Sequence, residues 1–136
     1  MSTVKIQFAS KEHRDFYFDM MARSRKNDCY HRAFFYVMGI APETRANIHQ
    51  MFDFTHDWIE PEGMHGGWQT SGTVRSCHLA FNLWNGYTEE QHGRDFTPEE
   101  LFCCEFAPYF IEGIKLRYPE YCRELSPARR QEEQTR

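Results

Sequence analysis

The chain has 136 residues and a formal net charge of −4 at pH 7, and 12 Phe, 7 Tyr and 3 Trp carry much of its apolar content. That length fits one domain whose core needs no metal or disulfide staple, and so many aromatics exclude a disordered chain. The mild negative charge excludes a general attraction to nucleic acid or anionic lipid.

Residues 4–8 alternate weakly and read as a short extended N-terminal arm. Ser10 suits the N-cap of a helix over 11–25, with Phe16, Tyr17, Met20 and Met21 on one face and His13 near its centre. A helix over 28–38 follows, in which Tyr30, Ala33, Phe34, Val37 and Met38 form a core-facing stripe and Gly39 supplies the stop. Pro42 opens a third helix over 42–52, turning Ile48, Met51 and Phe52 inward. Residues 53–67 are irregular: Trp58 and Ile59 are expected to pack, Glu60-Pro61-Glu62 to start a short helical turn, and Gly66-Gly67 to end it.

The fourth helix is expected over 73–85, closed by Asn85-Gly86, and a polar loop over 87–95 follows. Thr97-Pro98-Glu99-Glu100 has the form of a capping box. The pattern behind it runs through Leu101, Phe102, Phe106, Tyr109, Phe110 and Ile114 to Tyr118-Pro119, with Pro108 forcing a kink or a split. Residues 123–136 form a charged tail, expected to fray. Few Val and Ile argue against a large sheet. The expectation is a compact all-α bundle of five to six helices, with residues 1–122 as a single domain.

The fourth helix carries the most informative pattern. Val74, Cys77, Leu79, Ala80, Phe81, Leu83 and Trp84 spread over an arc of roughly 220° at 100° per residue, wider than a surface helix shows. A central position is predicted. Arg75, His78, Asn82 and Asn85 share the remaining arc of about 80°. One reading makes this stripe the wall of a cleft. Thr70, Ser71 and the amides after Gly72 would then cradle an anion, with Trp68 as its lid and Gln69 beside it. The plainer reading has Thr70 or Ser71 capping the helix, Trp68 stapling it and the stripe facing water. The candidate ligand site is therefore Trp68, Gln69, Thr70, Arg75, His78, Asn82 and Asn85.

Other constellations are weaker. Cys29 and His31, two apart on a helix, point about 160° from each other, and the adjacent pairs Cys77-His78 and Cys103-Cys104 splay, so no metal or cofactor is expected. Carboxylates at Glu99, Glu100 and Glu105 would raise the Cys103 and Cys104 thiols and dull them. Asp53, Asp57, Glu60 and Glu62 form an acidic patch without defined geometry, and His13 reads as a satisfied core histidine. Arg23, Arg25 and Lys26, like Lys115 and Arg117, complement helix C-termini and call for no nucleic acid.

Phe8-Ala9-Ser10-Lys11-Glu12-His13 with Phe16-Tyr17, Thr44-Arg45, Trp68-Gln69-Thr70, Leu79-Ala80-Phe81-Asn82-Leu83-Trp84-Asn85, Ala107-Pro108-Tyr109-Phe110 and Leu116-Arg117-Tyr118-Pro119-Glu120-Tyr121 form a distinctive set. Together they resemble DUF6075, a family of small uncharacterised Firmicutes proteins, over about residues 6–122. The resemblance implies no established activity; it implies by association an accessory role on a phage or mobile element, such as modulating a host defence protein. The leading expectation is a non-enzymatic module that binds another protein. It would reside in the cytoplasm, given scattered free thiols, no secretory leader and no membrane span. The alternatives are a small anionic ligand held by Arg75, Asn82 and Asn85, and a hydrolase pairing His49 or His56 with Asp53 or Asp57.

Overall fold

A computed structural model describes residues 5–122; the start of the predicted arm at Val4 and the tail over 123–136 lie outside the described residues. Short polar side chains start the first two helices. Ser10 Oγ accepts from the His13 amide at 3.0 Å and opens α1 (Lys11–Ser24), and Asp28 Oδ1 accepts from the His31 amide at 2.9 Å and opens α2 (Cys29–Met38). Each cap satisfies an amide that has no partner inside its own helix.

α2 is the hub of the molecule. Ala33 through Met38 are completely buried, because α1 lies against one side while α5 (Ser71–Asn85) and α7 (Ala107–Arg117) cover the others. A helix apolar all round needs such neighbours. The predicted stripe was too narrow: Phe35 and Tyr36 lie outside it and are buried, while Tyr30 lies within it and is 43% exposed. Tyr30 sits in the first turn, facing outward.

Gly39 also acts otherwise than expected. Its φ is −86°, so no left-handed cap forms. A Cβ there would lie 2.8 Å from both His13 Cδ2 and Phe16 Cδ1, so glycine is required by the close approach of α1. Thr44 Oγ1 instead takes the free Met38 carbonyl at 2.6 Å, and Arg45 Nη1 takes that of Gly39 at 2.8 Å. The predicted helix over 42–52 divides into α3 (Pro42–Ala46) and α4 (Ile48–Met51) at Asn47, whose side-chain amide bonds the Glu43 carbonyl at 2.8 Å. Local bonding of this kind is why Asn interrupts helices.

Phe52, expected at a helix end, instead enters a small antiparallel hairpin. β1 (Phe52–Asp53) pairs with β2 (Trp58–Ile59) in the register Phe52↔Ile59 and Asp53↔Trp58. Phe52 and Ile59 are buried, but Trp58 is not. A 3-10 turn over Pro61–His65 then leads to α5, which Thr70 caps. Thr97 does not form the predicted capping box: a 3-10 turn over Gly93–Phe96 precedes it, and its hydroxyl bonds the Arg94 carbonyl at 2.9 Å. α6 (Pro98–Leu101) is one turn long, and Pro108 lies in the first turn of α7, where its missing N–H costs nothing. The described residues thus hold seven α-helices and one two-stranded hairpin, an almost wholly helical fold. None of these helices is long and apolar enough to cross a membrane.

The core is a mesh of rings, with Phe34 meeting Phe52, Phe81 and Trp84 at centroid distances of 5.5–5.8 Å. Each such side chain contributes about 1.5–3 kcal/mol by leaving water. His13 is part of this interior. Its Nδ1 accepts from the Ala9 amide at 3.0 Å and its Nε2 donates to the Tyr36 carbonyl at 2.7 Å. Burial pushes its pKa down to about 4, helped by Arg45 and opposed by the Tyr36 bond, so the ring is neutral and structural.

Candidate functional site

The entry to α5 is occupied by its own bonds. Thr70 Oγ1 accepts from the Thr73 amide at 3.1 Å, and the Thr70 amide donates to Thr73 Oγ1 at 2.7 Å, a reciprocal cap. Thr73 Oγ1 also donates to Gln69 Oε1 at 2.6 Å, and Gln69 Nε2 donates to the Met64 carbonyl and to Cys77 Sγ. Gln69 is a strut between the 3-10 turn and the helix. A Cβ at Gly72 would lie 2.8 Å from Phe106 Cε2 and 2.9 Å from Glu105 Oε1, so a ring and a carboxylate of the same chain cover this helix start. Trp68 packs on Gly66 and the core, and its Nε1 is buried without a hydrogen-bond partner.

The polar stripe is covered as well. Arg75 Nε donates to the Glu100 carbonyl at 2.8 Å, its Nη1 to the Ser71 carbonyl at 3.0 Å, and its Nη2 lies 3.6 Å from Glu100 Oε1. Asn82 Nδ2 donates to the Tyr87 carbonyl at 3.1 Å, and Asn85 Oδ1 accepts from the Tyr87 amide at the same distance. His78 is buried and stacks on Phe96 with centroids 4.3 Å apart. Residues 87–101 therefore fold back along the stripe. The residues predicted as one ligand site are bonded or packed largely within their own chain.

His78 lines a cavity of about 310 Å³ with Met64, His65, Val74, Glu89, His92 and Asp95. Glu89 lies between two imidazoles: Oε1 is 3.4 Å from His78 Nε2, and Oε2 is 3.5 Å from His65 Nε2. His92 Nδ1 is 3.9 Å from Asp95 Oδ2. Burial lowers the His78 pKa and outweighs the opposing pull of Glu89 and Asp95. Among the described residues, no three His, Cys, Asp or Glu side chains are arranged to hold a metal ion. Sequence reasoning found His78 and missed its polar companions, which come from two 3-10 turns and the loop before the second and carry no motif spacing.

A second surface lies at the other end of α5. Trp58 is 52% exposed and stands edge-on to Trp84 at 6.3 Å; Trp84 in turn meets Tyr30 at 6.4 Å. The Arg117 guanidinium sits 4.1 Å from the Tyr30 ring centre and 4.6 Å from that of Tyr118, while its Nε donates to the Leu83 carbonyl at 2.7 Å. Arg117, expected to complement a helix end, is thus the mortar of an aromatic face. Trp58, expected to pack, is more exposed than Tyr30 or Tyr118.

His31 braces this face from beneath. Its Nδ1 is 2.8 Å from Asp28 Oδ1 and its Nε2 is 2.6 Å from Asp57 Oδ1, which ties the hairpin loop to the start of α2, and its ring meets Trp84 at 4.8 Å. Desolvation alone would raise the Asp28 pKa, but the bonds from the His31 ring and amide hold it below its ordinary value. His56 and Asp53, a pair considered for hydrolysis, lie 2.7 Å apart at the hairpin tip, with the imidazole open to solvent. The bond to Asp53 raises the His56 pKa. None of the five cysteines is in a disulfide, and burial pushes the Cys77 thiol up to about 12, which makes it an inert packing group.

No curated protein and no solved structure matches this chain. A family model described as a family of unknown function matches residues 3–130, and the chain belongs to that family, DUF6075.

Proposed function

We propose, taking membership of a family without an assigned activity as the premise, that the chain is a protein-interaction module that docks through the face of Trp58, Tyr30, Trp84, Arg117 and Tyr118. One observation carries this reading: the half-exposed Trp58 and Tyr30 both stand against the buried Trp84, and a guanidinium sits between the Tyr30 and Tyr118 rings. Trp, Tyr and Arg are the residues that most often dominate the energy of protein interfaces. Their area here is pre-ordered, because Arg117 is anchored on the Leu83 carbonyl and the hairpin on His31, so little side-chain entropy remains to be lost on association. The cytoplasm is part of the proposal, supported by five free cysteines. The narrower version, an accessory protein of a phage or integrative element acting on a host defence protein, has the family association as its only support.

The test is a partner whose capture depends on this face. A protein retained from host lysate by the wild type is expected to lose about tenfold or more in affinity, at least 1.4 kcal/mol, with Trp58→Ala or Tyr30→Ala. Circular dichroism should show both variants folded. Partners captured equally by wild type and both variants would refute the reading.

A further inference from the structure

The cavity beside His78 is separate from the aromatic face, and we propose that it binds a small organic cation, a primary amine or a guanidine. Two carboxylates, Glu89 and Asp95, reach it, and no Lys or Arg is among its lining residues. Arg75, the one cation of the stripe, is drawn away to Glu100 and Ser71 and offers nothing to an anion here. The polar lining is thus two carboxylates and three imidazoles, with no permanent cation among them.

Glu89 is the group that invites a ligand. Charge-assisted N–H···O bonds close to about 2.7–2.9 Å, and the His31 bonds to Asp28 and Asp57 do so at 2.8 and 2.6 Å. The imidazoles facing Glu89 stand off at 3.4 and 3.5 Å, so both of its oxygens retain acceptor capacity toward the cavity. His78 is stacked on Phe96 with ring centroids 4.3 Å apart, which holds its ring at that distance from Glu89. Its burial favours the uncharged ring, so His78 contributes little positive charge beside Glu89. An ammonium or guanidinium supplies the several N–H donors that Glu89 and Asp95 lack, and Met64 and Val74 offer an apolar wall for a short alkyl stem. At about 310 Å³ the space is at the small end of ligand pockets. A metal ion fits less well: the two imidazoles address opposite oxygens of Glu89 and do not converge.

Isothermal titration and thermal melting of the full chain with putrescine, agmatine, 1-butanol and glutarate would decide. Putrescine or agmatine should bind and raise Tm, since a ligand of the native state stabilises it, whereas butanol and glutarate should not. Glu89→Gln should weaken the amine at least tenfold while Glu12→Gln, exposed on α1, leaves it unchanged. Four outcomes would overturn the proposal: glutarate binding as well as either amine, amine binding untouched by Glu89→Gln, no amine binding up to about 10 mM, or Zn²⁺ alone binding in a Glu89-dependent way.

Discussion

The two ends of α5 are finished in opposite ways. Around Trp84 the polar groups are tied off, Arg117 on a carbonyl and two rings and His31 on two carboxylates, while apolar rings are left in water. Around His78 the apolar surface is covered by Phe96 and the returning chain, while the polar groups are left at loose distances. Rigid exposed apolar area suits association with a surface, whose energy comes from removing water. Slack polar groups around a small space suit a ligand that completes their bonding. One helix thus carries two surfaces with different chemical needs, and the difference between tight and slack pairs can be measured.

The largest effect is expected at the tight end. His31→Ala removes two short bonds to carboxylates and frees the hairpin loop from α2, while the backbone cap on Asp28 survives. Bonds to charged groups contribute about 1.5–3 kcal/mol each when buried, and both partner carboxylates are partly solvated. A net loss of about 2–3 kcal/mol is expected in urea unfolding. Glu89→Gln, which removes two pairs at 3.4–3.5 Å, should change stability by no more than about 0.5 kcal/mol. Equal losses in the two variants would erase the distinction between the two ends.

A histidine can also be tight by being neutral. The His13 pKa is pushed down to about 4 in the folded chain, below an unfolded value of about 6.5. The unfolded chain therefore binds the extra proton between these values, and stability falls as pH falls through that window. The contribution is complete above pH 6.5 and is lost as pH approaches 4. His13 alone should make the protein about 2 kcal/mol less stable at pH 5 than at pH 7. In His13→Gln that slope should flatten by the same amount, and His78, lowered in the same direction, should supply part of what remains. An unchanged slope in His13→Gln would place the proton uptake elsewhere.

These contrasts explain which parts could be read in the sequence. Ser10 and Thr70 act within three residues of themselves, so their caps were legible, whereas Asp28, read as part of its helix, is the cap before it. His13 was legible because a polar ring on an apolar face must find partners. Tyr30 was assigned to the core because helical spacing gives an azimuth but not the axial limit of the neighbouring helices, and Trp84 of α5 and Arg117 of α7 cover only part of its ring. Pro108 was read as a break within a helix because nothing local marks Cys103–Phe106 as a chain of turns. The cavity was illegible for a different reason. His65, His78, Glu89 and Asp95 come from three segments joined by the return of 87–96 along α5, and that return is fixed by the stacking of Phe96 on His78 and the bonds of Asn82 and Asn85 to Tyr87. No spacing in the chain encodes it.

A small expected effect is the most discriminating. Trp58 is the largest ring on the docking face, yet half of its surface is already in water and its backbone pairing with Asp53 does not depend on the indole. Trp58→Ala should therefore cost no more than about 1 kcal/mol of stability. Trp84, buried against Phe34, Phe52 and His31, should cost about 3–5 kcal/mol on the same truncation. Urea unfolding of the two variants separates the roles directly. A residue retained for folding must cost stability when removed, whereas one retained for docking must not. If Trp58→Ala unfolds as readily as Trp84→Ala, the ring is a structural brace for the hairpin and the aromatic face loses its anchor. If it is nearly neutral and partner capture still falls tenfold, the exposed rings at this end of α5 are there for contact with another protein.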